Sequence, residues 1–138
     1  MKNNKLHLLA YDKQDFDVIS SVLQDSIVPL MEMHYSKIDR QFLITASRFS
    51  NERYDKKNQY KRIVFGVCFE NVDRVKKRNF ALSNKENILN LLSITYKNDC
   101  ISLLFSNDIE LKLFGEKIFL RLDDLDKQWP TIFIPKHS

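Results

Sequence analysis

An α+β fold dominated by an antiparallel sheet is what this sequence predicts: about eight or nine strands, barrel-like or stacked as a two-sheet sandwich, with one N-terminal helix. Three observations predict it. From Ile109 to Leu122 apolar residues recur with a period of two, so Ile109, Leu111 and Leu113 share one face while Glu110 and Lys112 share the other. Only the stretch behind Asp12 has a clear helical period. Ten Phe and five Tyr stand against a single Trp, and strands favour the first two types. With 138 residues, 43% of them hydrophobic, the chain has room for one domain whose core buries about two-thirds of the unfolded surface.

Taken in order, the first element is a strand over Leu6 to Tyr11. Asp12 then caps a helix running to about Gln24 or Asp25: carboxylates at Asp12 and Asp15 meet the free amides of the first turn, and Phe16, Ile19, Val22 and Leu23 share one face. Ile27 to Tyr35 and Ile38 to Phe49 read as two strands joined near Ser36-Lys37, with Pro29 marking an edge or a strand's beginning. Asn51 to Gln59 is polar without period and reads as a loop. Tyr60 to Glu70 is apolar on both faces, as a central strand requires. Val72 to Arg78 reads as a charged edge strand, and Ser83 to Asn87 as a turn or a single helical turn. Ile88 to Lys97 pairs with Cys100 to Ser106 around Asn98-Asp99, and Asn107-Asp108 turns the chain into the last alternating segment.

That segment predicts its own pairing. A two-residue turn at Gly115-Glu116 sets Leu113 opposite Ile118, Leu111 opposite Leu120, Ile109 opposite Leu122 and Glu110 opposite Arg121. The strand runs to about Leu122 and a short helical turn follows, in preference to a helix over Glu116 to Trp129.

The residue inventory excludes several kinds of chemistry. Two glycines cannot build a glycine-rich phosphate loop, and no cofactor motif occurs. His7, His34 and His137 have no metal-site spacing, so no metal is expected. Ser20, Ser21 and Ser26 lack a glycine-flanked elbow, and Cys68 sits between Val67 and Phe69, where a thiol's pKa rises. Asp123, Asp124 and Asp126 with Glu116 make an acidic cluster of the kind that can host a cation or a general acid, but three acids after a strand read as a solvated turn with a helix-start signal. Two cysteines form neither a disulfide framework nor a zinc site, which suits a reduced compartment. The N-terminal apolar run is too short for a signal peptide, and no run of about 18 apolar residues occurs. A cytosolic location and no transmembrane segment follow as expectations.

Charge is the one asymmetry. Residues 48–97 hold twelve Lys or Arg against five acids, a local +7, while the flanks carry −3 of the net +4. Arg53, Lys56, Lys57, Lys61, Arg62, Lys76, Lys77 and Arg78, with Tyr54 and Tyr60 between them, form the candidate binding patch for RNA, an anionic lipid or an acidic protein surface. No aromatic motif of the common RNA-binding modules accompanies them.

Leu23-Gln24-Asp25-Ser26, Arg48-Phe49, Leu91-Leu92-Ser93-Ile94, Asp124-Leu125, then Trp129, Thr131, Pro135 and His137, in this order, resemble an alphaproteobacterial family of small proteins known as domain of unknown function 2948. The resemblance covers nearly the whole chain and implies no activity, substrate or catalytic residue. This chain departs from it at Phe114-Gly115-Glu116, where members tend to lack glycine, and at Ser50-Asn51, near which they often carry Trp.

The sequence therefore points first to a cytosolic, non-enzymatic binding or accessory module. Binding of RNA or of the ribosome surface through the basic patch is the second reading. A small hydrolase or isomerase using a histidine such as His34 with nearby acids is the third.

Overall fold

The computed structural model describes residues 5–54, 60–80 and 88–125, with side chains described except at 49–54, 60 and 61. In chain order the elements are β1 (His7–Ala10), α1 (Lys13–Leu23), β2 (Ile27–Pro29), β3 (Met33–Ser36), β4 (Gln41–Tyr54), β5 (Tyr60–Glu70), β6 (Arg74–Arg78), β7 (Ile88–Lys97), β8 (Cys100–Phe105), β9 (Glu110–Phe114) and β10 (Phe119–Asp124). The ten strands form one open antiparallel sheet in the order β1-β10-β5-β4-β2-β7-β8-β9-β6, with β3 added beside β4. The α+β class, rich in antiparallel strands with one N-terminal helix, is thus the observed one.

Helix α1 starts where its caps require. The Asp12 carboxylate accepts the Asp15 amide at 2.8 Å, satisfying one orphan donor of the first turn, and the Asp15 carboxylate accepts the amide of Tyr11, the residue ahead of the cap, at 2.9 Å. Phe16, Ile19 and Leu23 are buried against the sheet, with Phe16 edge-on to Tyr96 of β7 at 5.1 Å. Ser20 of the same helix accepts the Ile94 amide at 2.9 Å. That contact lies beside an irregularity in β7 between Leu91 and Ser93, which resets the alternation so that Leu89, Leu91 and then Ile94 all face inward.

The tenth strand comes from a break at Pro29. The segment expected as one strand from Ile27 to Tyr35 is β2, a 3-10 turn over Leu30–Glu32, and β3. Proline supplies no ladder amide, so the strand stops there. Both pieces pair with β4, at Ile27↔Ser47 and at Met33↔Ile44, and β2 alone reaches across to β7. The strand expected from Ile38 begins instead at Gln41, because Arg40 takes a positive φ of 56° in the preceding turn.

Two further expectations change. Residues 51–54, read as loop, belong to β4, whose ladder with β5 continues past an irregularity to Tyr54↔Tyr60; backbone pairing needs no apolar alternation. The rest of that loop, the Ser83–Asn87 turn and the tail from residue 126 lie outside the described residues. The hairpin about Gly115-Glu116 does not form. β9 pairs with β8 and β6, while β10 pairs with β1 and β5. A type II′ turn needs a positive φ at its glycine, and Gly115 has none. Gly115 serves close approach instead: a Cβ there would lie 2.0 Å from the Asn71 carbonyl oxygen. Asp73 N–H donates to the Phe114 carbonyl at 2.7 Å beside it, binding the β5–β6 connection to the end of β9.

One core results. Phe42, Phe65 and Phe69 from the β4–β5 side meet Ile101, Leu103, Leu111 and Leu113 from the β8–β9 side, closed by the apolar face of α1. The sheet therefore has an inner face that is almost wholly apolar and an outer face on which chemistry can be displayed.

Candidate anion-binding face

Register places the outer-face side chains in rows. Residues directly opposite on neighbouring strands share a face, and Val75, Leu111, Leu113, Ile101 and Leu103 turn inward. The alternate positions of β6, β9, β8 and β7 therefore point outward. One row reads Arg74, Phe114, Cys100, Lys97; the next Lys76, Lys112, Ser102, Thr95; a third Arg78, Glu110, Leu104, Ser93.

The electrostatics of the rows differ. Arg78 is engaged, by Glu110 at 3.0 Å and Asp108 at 3.2 Å. Lys76 stands directly opposite Lys112, and neither it, Lys112, Arg74 nor Lys97 has an ion pair among the described residues. Like charges directly opposite on a sheet are destabilising. The Arg74 guanidinium carbon lies 4.0 Å from the centroid of the half-buried Phe114 ring.

Of the residues singled out from sequence, Lys76, Lys77 and Arg78 are exposed on the edge strand β6. Lys77 points to the other face, its ammonium 5.3 Å from the Phe80 ring centroid. Arg62 lies on β5, which is not a neighbour of β6, and donates to the Ser47 hydroxyl and carbonyl, each at 2.9 Å. Burial lowers its pKa from the ordinary guanidinium value. The backbones of Arg53 and Lys61 lie in β4 and β5 with side chains undescribed, and Lys56 and Lys57 lie outside the described residues. Lys112 and Phe114 were not singled out, because their juxtaposition with the basic Arg74 to Arg78 segment depends on β6 pairing with β9, which no local pattern encodes.

A second polar group lies on the outer face of β10, β5 and β4. Glu70 accepts from Arg121 at 2.8 Å, from Gln41 at 3.1 Å and from the Cys68 thiol at 3.3 Å. Burial and the Glu70 carboxylate push the Cys68 thiol up to about 11. His34 shares the row with Cys68 but lies two strands away, beyond Leu43, roughly 9–10 Å off by strand spacing.

Inside the sheet, Arg48 and Asp124 form an ion pair whose side chains are 5% and 0% exposed. Arg48 donates from Nε at 3.2 Å and Nη2 at 2.6 Å, and Asp124 Oδ2 also accepts the Leu6 amide at 2.8 Å. Asp124 is therefore no solvated turn residue. The signal was present in the alternation, since Asp124 continues the inward set Leu120, Leu122 and Arg48 continues Phe42, Ile44, Ala46. The Ser26 hydroxyl is also buried and has no hydrogen-bond partner among the described residues.

No helix among the described residues is long and apolar enough to cross a membrane. The family described as "Protein of unknown function (DUF2948)" matches residues 6–137. No curated protein and no solved structure matches.

Proposed function

The chain belongs to the DUF2948 family, and since that family's description assigns no activity, we propose from the surface alone that it is a cytosolic, non-enzymatic binding module holding an anionic partner on the outer face of β6, β9 and β8. The observation that carries the proposal is the facing pair Lys76 and Lys112, flanked by Arg74 and lacking a carboxylate partner among the described residues. Two ammonium groups set against each other weaken the sheet edge when the face is empty. An anion seated between them removes the repulsion, and its negative charge is drawn to the row by the same field. Edge position adds access, since among the described residues β6 pairs only with β9.

The non-enzymatic part of the reading is supported by Cys68 and His34. A thiol held at about 11 is almost wholly protonated near neutrality, and the histidine in its row is too distant to deprotonate it.

The test is binding of labelled polyphosphate, polyglutamate and RNA by fluorescence anisotropy at 50 and 200 mM salt, with Lys76→Glu/Lys112→Glu as the variant. Wild type should bind at least one polyanion, more weakly at the higher salt, and the double variant should lose binding. Absence of binding to all three at 50 mM, or full binding by the double variant, would refute it.

A further inference from the structure

Resting on the reading of this face as an anion site, we propose that its ligand is single-stranded nucleic acid and that Arg74 with Phe114 is the platform on which one unpaired base stacks. Phosphate attraction alone would be met by lysines. An aromatic ring among them is the feature that asks for more. Phe114 occupies an outward position of β9, between Arg74 on β6 and Cys100 on β8, and remains half-buried where its alternate neighbours Leu111 and Leu113 are fully buried. The guanidinium lies over the ring, 4.0 Å from its centroid, so the ring backs the planar cation and the cation's outer face is the stacking partner offered to a base.

The rows supply the rest of the recognition. Lys97 closes the aromatic row, and the Lys76–Lys112 row lies two residues along the strands, roughly 6.6 Å away. A base over Arg74 and Phe114 thus leaves its own and the next phosphate within reach of lysines on either side. Of the acids near the area, Glu110 and Asp108 are occupied by Arg78, Asp73 is paired with Arg40 at 2.6 Å, and Asp99 lies in the turn after Lys97. A duplex would present phosphates to the lysines while hiding its base faces, and an acidic protein or lipid surface has no flat π-system for the Arg74–Phe114 pair. Only unpaired bases use both parts of the face.

The test compares four labelled probes against the full chain: an unpaired 12-mer RNA, the matching thymidine-rich DNA, an abasic 12-mer with the same phosphates, and a 12-base-pair duplex. The unpaired strands should bind about tenfold more tightly than the abasic strand and the duplex. Phe114→Leu should erase that tenfold preference while leaving the salt dependence intact; Lys112→Gln should lower the salt slope by about one and keep the preference. Arg74→Gln, an exposed change that leaves the ring in place, should reduce the preference even if the Phe114 variant folds poorly. Equal binding of the abasic and unpaired strands would overturn base stacking while leaving the anion face standing. Preference for the duplex, or for phosphatidylserine vesicles over all four probes, would overturn the nucleic-acid assignment. Failure to bind any polyanion would remove both proposals together.

Discussion

Replacing Asp124 by Asn changes almost nothing in shape and removes one charge from the interior. The Arg48 guanidinium, 5% exposed, would then keep its own charge with no carboxylate at 2.6 Å to balance it. Breaking a buried pair from one side costs about 3–5 kcal/mol, because the surviving ion has lost its water without keeping its partner. With about 2.1 cal/mol/K per residue of unfolding entropy over 138 residues, a loss of about 3 kcal/mol lowers the Tm by about 10 °C. Urea unfolding followed by circular dichroism measures the loss directly, at unchanged m-value. Asp17→Asn is the internal control, since its bridge to Lys13 joins side chains 73% and 56% exposed and should be worth at most about 1 kcal/mol. Arg48→Met/Asp124→Leu removes both ions and should recover most of the stability. A loss for Asp124→Asn no larger than the Asp17 control would refute the claim that this pair is desolvated.

The two glycines should respond oppositely to alanine. Gly115→Ala places a Cβ 2.0 Å from the Asn71 carbonyl oxygen and should cost about 1–3 kcal/mol, whereas Gly66→Ala meets nothing within 4 Å in a regular strand and should gain about 0.5 kcal/mol; equal effects in urea unfolding would contradict the close approach. Glu70 is held below its ordinary value of 4.5: burial opposes this, but the hydrogen bonds from Arg121, Cys68 and Gln41 outweigh it. Its contribution is therefore full above 4.5 and lost as pH falls through its folded value, so stability should decline less steeply on acidification in Glu70→Gln than in wild type. In a Cys100→Ser background, Cys68 should react with iodoacetamide at pH 8 about a hundredfold more slowly in the folded protein than in the urea-unfolded chain; comparable rates would show that its thiol is not raised to about 11.

Local chemistry and the pairing across a short turn were legible; pairing between strands distant in sequence was not. The helix could be read with its cap because Asp12, Asp15, Phe16 and Ile19 act within two turns of one another. The Asn98-Asp99 hairpin was equally plain, as both residues adopt positive φ and leave β7 and β8 in immediate contact. The β9–β10 pairing failed although its apolar and charge register was self-consistent. Glu110 and Arg121 are each satisfied, but by Arg78 and Glu70 from strands distant in sequence. Alternation specifies which face a residue shows, not which strand lies beside it. The candidate face suffered in the same way: Lys76 was found as part of a basic run, while Lys112 sat in an amphipathic strand whose neighbour was unknown. Asp124 was missed for another reason, since acids following a strand were weighed as a group when its parity alone set it apart.

The placement of β1 has a consequence for how the molecule is made. Its ladder partner is β10, joined through His7↔Asp123 and Ala10↔Leu120, so the first described strand waits for the last described one. On the ribosome the helix and the β7–β8 hairpin can gather early, yet the Leu6 amide finds the Asp124 carboxylate only once residue 124 has cleared the exit tunnel. Until then the Arg48 guanidinium, buried only in the finished fold, has no counter-ion, and the nascent sheet exposes an unpaired edge of β5. Completion of the described sheet therefore waits on β10, which supplies the ladder to β1, covers the edge of β5 and brings the counter-ion of Arg48.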